Sequence, residues 1–247
     1  NHEILFSNIV NAYAKDDVIY AVPTAFNMPI IIGENVSNIK DLNSLISRCE
    51  ENIENEEIIL NISSAEELID TFYESISTNI LRDDKTLNID AIEDALNKFK
   101  NIYDLTVSNL SESEEEIIRD NRQYSNSFLS LYLVNKNANM NISNIKNYKD
   151  ILFINGIKEQ YKCDYTLWNG DNGSYFKAID VVGINSNSKN KDIAKEFVNS
   201  LLNGSFYSSE FSNLSVNRDV FKHTLNSIKN YESGVVAMDE NGEGDVL

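Results

Sequence analysis

The stretch Gly173–Gly204, GSYFKAIDVVGINSNSKNKDIAKEFVNSLLNG, sets two structural codes end to end, and no other feature constrains the fold as tightly. From Ala178 to Ile184 the residues are apolar and β-branched, as a buried strand requires. From Lys191 onward Ile193, Ala194, Phe197, Val198, Leu201 and Leu202 recur at helical spacing. Asn190 stands where a side-chain oxygen can accept from the first helical turn, Asp192 where the helix dipole favours negative charge, and Gly204 where a left-handed residue ends the helix. Strand, polar turn and amphipathic helix make a βα unit, which places the chain in the α/β class.

At 247 residues the chain suffices for one large domain or two modest ones without metal or disulfide staples. Cys49 and Cys163 sit in apolar surroundings and read as two buried thiols rather than a long-loop disulfide. A net charge of −18 argues against nucleic acid, because none of the 21 Lys and Arg residues forms the basic stripe that phosphates need. No window reaches the ~18 uninterrupted apolar residues of a membrane span. AFNMPIIIG, from Ala25 to Gly33, is about the longest apolar run, and Asn27 interrupts it.

Three groups of residues resemble the family 1 extracellular solute-binding proteins, the maltose-binding-protein-like lipoproteins of bacterial ABC sugar importers. In the first, Gly173, Tyr175, Phe176, Gly183, Ile184, Asn185, Asn190, Lys191, Ala194, Glu196, Phe197, Leu201 and Leu202 match a turn, a strand ending in G-I-N and a helix closing on a double leucine. DVIYAVPTAFNMPIIIG is similar to the family's I-Y-A-V-P strand, and Val216, Asn217 and Phe221 resemble its P-V-N-x-x-x-F run, with Ser215 in place of proline. The resemblance implies a helix-rich, periplasmic-binding-protein-like fold of type II, with two lobes joined by crossing strands. Because the I-Y-A-V-P strand arrives almost at once, the first lobe is expected to be incomplete. Residues 1–24 and 165–210 are expected to be its remnant with the hinge strands, and residues 25–164 and 211–247 the second lobe.

Pro23 and Pro29, the only prolines, fix φ twice within VPTAFNMPIII, so this segment is expected to be an irregular crossing rather than a central strand. Ser37 is expected to open a helix carrying Ile39, Leu42, Leu45, Ile46 and Cys49, and EEIILNI from Glu56 a short strand. Ser64 and Glu67 have capping-box spacing for a helix buried through Leu68, Ile69, Phe72, Tyr73 and Ile76. Asn88 or Asp90 opens another, with Ile92, Ala95, Leu96, Phe99, Ile102 and Tyr103 on its apolar face. SESEEEIIRD from Ser111 reads as a solvated helix start. SFLSLYLVN is open between helix and strand, ANMNISNI reads as a short strand, NYKDILFIN as a last helical turn running into a loop, and MDENGEGDVL as a polar loop or frayed end.

With only His2 and His223, the chain has little material for Ser-His-Asp or Cys-His catalysis. It contains no H-E-x-x-H, C-x-x-C, G-x-x-x-x-G-K or G-x-G-x-x-G, so no metal site or cofactor is expected. DNGS at Asp171–Ser174 reads as a turn, since Val182 stands where a calcium loop would need Glu.

Sugars combine an apolar C–H face with a polar rim, and their sites combine an aromatic platform with amides and carboxylates. YTLWNGDNGSYF offers that mixture: Trp168, then Asn169, Asp171 and Asn172, then Tyr175. Tyr20 and Phe26 flank the crossing strand, where alternation sends one of them towards a cleft. These seven are the candidate ligand contacts. The resemblance implies a monomeric, non-enzymatic receptor that captures an extracellular carbohydrate between two lobes and hands it to an ABC permease. In the full-length protein it would be a cell-surface lipoprotein, its anchor absent from this chain. A glycan-active enzyme and a non-transporting lipoprotein interaction domain are the alternatives.

Overall fold

Pro23 and Pro29 both lie within one 12-residue strand. The computed structural model describes residues 4–16, 18–52, 58–82, 84–123, 138–161, 163–170, 173–203, 212–228, 236–238 and 244–246. Two short antiparallel strands, β1 (Ala14–Lys15) and β2 (Val18–Ile19), lead into β3 (Val22–Gly33). On β3, Val22–Asn27 pair with β9 (Lys177–Val182), Ala25 and Phe26 with β10 (Leu214–Ser215), and Ile30–Gly33 with β6 (Asp164–Leu167), all antiparallel. The expected irregular crossing is therefore a regular central strand. The prolines fit because Pro23 is one residue from its start. Pro29 falls between Asn27, the last residue paired with β9, and Ile30, the first paired with β6; its carbonyl accepts from the Trp168 N–H at 2.9 Å, and only the reciprocal N–H is missing from the end of that ladder.

The chain divides into two units: residues 1–28, 144–153 and 176–234 form unit 1, and residues 29–143, 154–175 and 235–247 form unit 2.

In unit 1 the first half of β3 is flanked by β9 and β10. Phe26 stacks on Phe221 of α8 (Arg218–Ile228) at 6.1 Å and meets Phe6 edge-on at 5.8 Å; Phe6 immediately precedes α1 (Ser7–Asn11). Tyr148 joins the cluster 5.6 Å from Phe221 and opens α6 (Tyr148–Tyr161), a full helix where the sequence suggests only a last turn. Its start is fixed reciprocally: Asn147 Oδ1 accepts from the Asp150 N–H at 3.0 Å, and Asp150 Oδ2 accepts from the N–H groups of Lys146 and Asn147 at 2.6 and 2.9 Å. Burial outweighs these bonds and pushes the Asp150 carboxyl up to about 6.

The βα unit is present as β9 followed by α7 (Lys191–Leu202), yet none of the α7 residues is buried. Ile193 is 67% exposed, Phe197 59% and Val181 of β9 43%, so the expectation of a buried strand and a covered stripe is corrected. Their positions are apolar, but no described element lies over them. Asn190 occupies the cap position without a side-chain bond; its own N–H donates to Ser188 Oγ at 3.2 Å. Gly204 lies outside the described residues.

Unit 2 holds the larger core. Asp41 Oδ1 accepts from the Ser44 N–H at 2.8 Å at the start of α2 (Leu42–Asn52), which begins later than expected because Val36–Asn38 form a separate 3-10 turn. After β4 (Ile58–Leu60), Ser64 Oγ accepts from the Glu67 N–H at 3.2 Å, and the Glu67 carboxylate accepts from the Ser63 N–H at 2.8 Å, which starts α3 (Ala65–Ile80). α4 (Ile89–Leu105) packs on both α2 and α3, and α5 (Glu112–Gln123) is the acidic helix, with Ser111 at its start. Leu45, Cys49, Leu68, Phe72, Phe99 and Ile102 form the interior of the unit with Ile31, Met140 and Trp168. Ile69, Tyr73 and Leu96, expected on buried faces, are 41–52% exposed because each stripe is wider than the contact it makes.

β5 (Ala138–Ile145) lies between β3 and β4 and runs parallel to β4. A Cβ on Gly33, whose φ is +157°, would stand 2.3 Å from the Asn139 carbonyl oxygen. Beyond the end of β4, Asn61 Oδ1 accepts from the Ile142 N–H at 2.9 Å while its Nδ2 donates to the Ile142 carbonyl at 3.4 Å, so a side chain completes the ladder. Ser127–Asn135, the SFLSLYLVN segment, lies outside the described residues. In the segment expected to be a polar loop or frayed end, residues 238–247, Gly244–Val246 form β12, which pairs antiparallel with β11 (Val236–Met238). Among the described residues no helix is long and apolar enough to cross a membrane.

Candidate functional site

The segment read as a sugar platform folds as a small hairpin in unit 2. β7 (Asn169–Gly170) pairs with β8 (Gly173–Ser174), and Gly170 faces Gly173 in register. The two residues between them, Asp171 and Asn172, lie outside the described residues. Gly173 has φ +100°, and nothing lies within 4 Å of the place a Cβ would take, so glycine is needed there for backbone conformation rather than for room.

Trp168 sits just before β7, 1% exposed, its backbone N–H donating to the Pro29 carbonyl at 2.9 Å and its ring 5.0 Å from Phe72. Its indole Nε1 has no hydrogen-bond partner among the described residues. So enclosed, the ring presents no open platform in this conformation. Asn169 and Tyr175 are half-buried. Tyr175 packs on the unit 2 core, and burial, then the charge of Glu74, raises its hydroxyl above the usual range. Trp168, Asn169 and Tyr175 are thus brought together around one hairpin.

The two candidates on the crossing strand belong to unit 1. Tyr20 is 65% exposed, whereas Phe26 is 5% exposed inside the aromatic cluster with Phe6 and Phe221. Unit 1 also contains a hollow of about 720 Å³ that the sequence does not reveal. Ile4, Leu5, Val10, Val22, Val198 and Leu202 line it, with Asn199 and Asn203 supplying amides. Residues so far apart along the chain carry no local signal of a shared cavity.

Among the described residues no cluster of His, Cys, Asp and Glu is arranged to hold a metal ion. Cys49 and Cys163 are buried and not joined in a disulfide, and burial pushes the Cys49 thiol up to about 12. A thiol so placed stays protonated at neutral pH and is a poor nucleophile.

No protein-family model matches the chain, and no curated protein sequence matches it. Solved structures do. Clostridium botulinum thiaminase I in complex with thiamin superposes with a TM-score of 0.56 at 17% identity, over 94% of this chain and 68% of that one. The GacH receptor of Streptomyces glaucescens, determined unliganded and with acarbose, gives 0.55 at 14% identity over 94% and 61%. A family 1 extracellular solute-binding protein from Alicyclobacillus acidocaldarius gives 0.54 at 11% identity over 93% and 63%. The chain thus spans 61–68% of the length of these three. The thiaminases overturn the expectation of a non-enzyme: enzymes share this architecture, so capture without chemistry does not follow from it. What the likeness establishes is a helix-rich α/β chain with the periplasmic-binding-protein-like fold, an architecture common to sugar receptors and thiaminases.

Proposed function

We propose that this chain belongs to an extracellular receptor of a bacterial importer, binding a carbohydrate or similarly hydroxyl-rich small molecule for delivery to a membrane permease. The observation that carries the reading is the presence of sugar receptors among proteins of this fold. The hairpin after β6 adds local support, because Asn169 can both donate and accept and Tyr175 offers a ring with a polar tip. Tyr20 supplies a further exposed aromatic. A closed form that touches the solute more extensively than the open form would be favoured by binding, through differential affinity alone.

A second reading, turnover of a small heterocyclic substrate, is favoured by the thiaminase neighbours. Cys49 would not be its nucleophile.

Thermal unfolding in the presence of acarbose, laminaribiose, D-tagatose and thiamin separates the two, with chemical analysis of each compound after incubation. A receptor at 100 times Kd gains about 2.7 kcal/mol, which for a chain of this size raises the midpoint by roughly 5–10 °C and returns the sugar intact. No shift with any sugar would sink the receptor reading. Cleavage of thiamin would establish the second.

A further inference from the structure

The hollow in unit 1 is walled by three separate stretches of chain, and none of the described residues that line it is charged or aromatic. Apart from Asn199 and Asn203, all of them are branched aliphatics. Its volume of about 720 Å³ falls within the range of small-molecule sites, roughly 300–1,000 Å³. Leu5 and Val10 are buried and give it depth, while Val18, 49% exposed, reaches its mouth. Water held against such a lining is poorly solvated, and an apolar chain that replaces it gains by the hydrophobic effect.

The end of α7 adds a polar edge. Val198 and Leu202 stand one helical turn apart, and Asn199 and Asn203 repeat that spacing one residue on, so an aliphatic row and an amide row run side by side. The helix dipole places partial negative charge at this terminus, and the whole chain carries −18. A carboxylate or phosphate would therefore be repelled, and it would meet no cation among the described lining residues. An ammonium would find no carboxylate there to pair with. A hydroxyl suits the edge, because a carboxamide can both donate to it and accept from it.

We propose that this hollow binds an aliphatic chain ending in an uncharged hydroxyl group, with the chain against Val22, Val198 and Leu202 and the hydroxyl at the Asn199 and Asn203 amides. The site lies wholly within unit 1 and stands independently of the receptor reading, whose hairpin belongs to unit 2.

Calorimetric titration of the whole chain with octan-1-ol, decan-1-ol, decan-1-amine and decanoate, each below its solubility limit, tests the assignment. Decan-1-ol should bind one to one and about tenfold more tightly than octan-1-ol, because two further methylenes leave water. It should also bind more tightly than the amine, and decanoate should bind weakest. Val198→Asp and, independently, Val18→Asp set a charge in the lining, and each should weaken decan-1-ol by about tenfold or more. Ile193→Asp, on the same helix but outside the hollow, should leave its Kd within twofold of the parent and so separates the hollow from the open face of α7. No saturable binding of decan-1-ol, equal or tighter binding of decanoate or the amine, or unchanged affinity in both hollow variants would overturn the proposal. A dimer in sedimentation that Val198→Asp dissociates would overturn it too, the hollow then being a contact between copies.

Discussion

Helices of equal amphipathic clarity meet opposite fates in the two units. In unit 2, Phe72 of α3 is fully buried and Phe99 of α4 is 4% exposed; in unit 1, Phe197 of α7 is 59% exposed. All three stand on apolar stripes at helical spacing. Periodicity therefore reports which face a helix is able to bury, and the neighbouring elements decide whether it does.

The sharpest challenge to that contrast is Phe72→Ala, which removes the ring packed on Trp168. It should lose about 3–5 kcal/mol in denaturant unfolding. Trp168 is the sole tryptophan, so its emission should also shift to longer wavelength as its surroundings admit water. A loss below about 1 kcal/mol would mean that the unit 2 interior is no tighter than the face of α7.

How much of the molecule is legible in the sequence follows from the range of the interactions involved. The capping pair Ser64–Glu67 spans a few residues, and so do the stripes of α2, α3, α4 and α7. Sequence alone locates them. Two prolines argue against a central strand at β3, and only the pairing partners reveal that Pro29 stands at the change from β9 to β6, where the loss is one N–H at a ladder's end. Trp168 reads as a platform because its neighbours in sequence are polar. Its neighbours in space, Phe72 above all, come from ninety-odd residues away and enclose it. Asn27 is visible in the sequence only as an interruption in an apolar run; its burial within β3 is a property of the folded state.

A second, smaller effect distinguishes the interior of unit 1. Burial holds the Asp150 carboxyl at about 6 against an ordinary 3.8, so the folded state binds the proton more tightly than the unfolded chain. Its contribution to stability is fully present below about pH 4 and lost as pH rises through 6. Between pH 7 and 4.5 the parent should therefore gain about 2 kcal/mol relative to Asp150→Asn, as read from paired unfolding curves. Parallel pH profiles would show that the carboxylate is hydrated in solution.

The smallest expected change sharpens the contrast from the other side. Phe197→Ala on the open face of α7 should alter stability by no more than about 0.5 kcal/mol. A loss approaching that of Phe72→Ala would reveal that this face is covered in solution, by a second molecule or by other polypeptide. Concentration-dependent unfolding would then identify self-association.

The Asn61 amide that bonds both the N–H and the carbonyl of Ile142 bears on how the protein stays dispersed. β4 is three residues long, and past its end the flank of β5 would offer bare peptide groups to any passing extended chain. A carboxamide can occupy those groups but cannot continue as a strand, so it plugs the opening without offering a template for further growth. A single asparagine thus acts as a guard against intermolecular sheet formation.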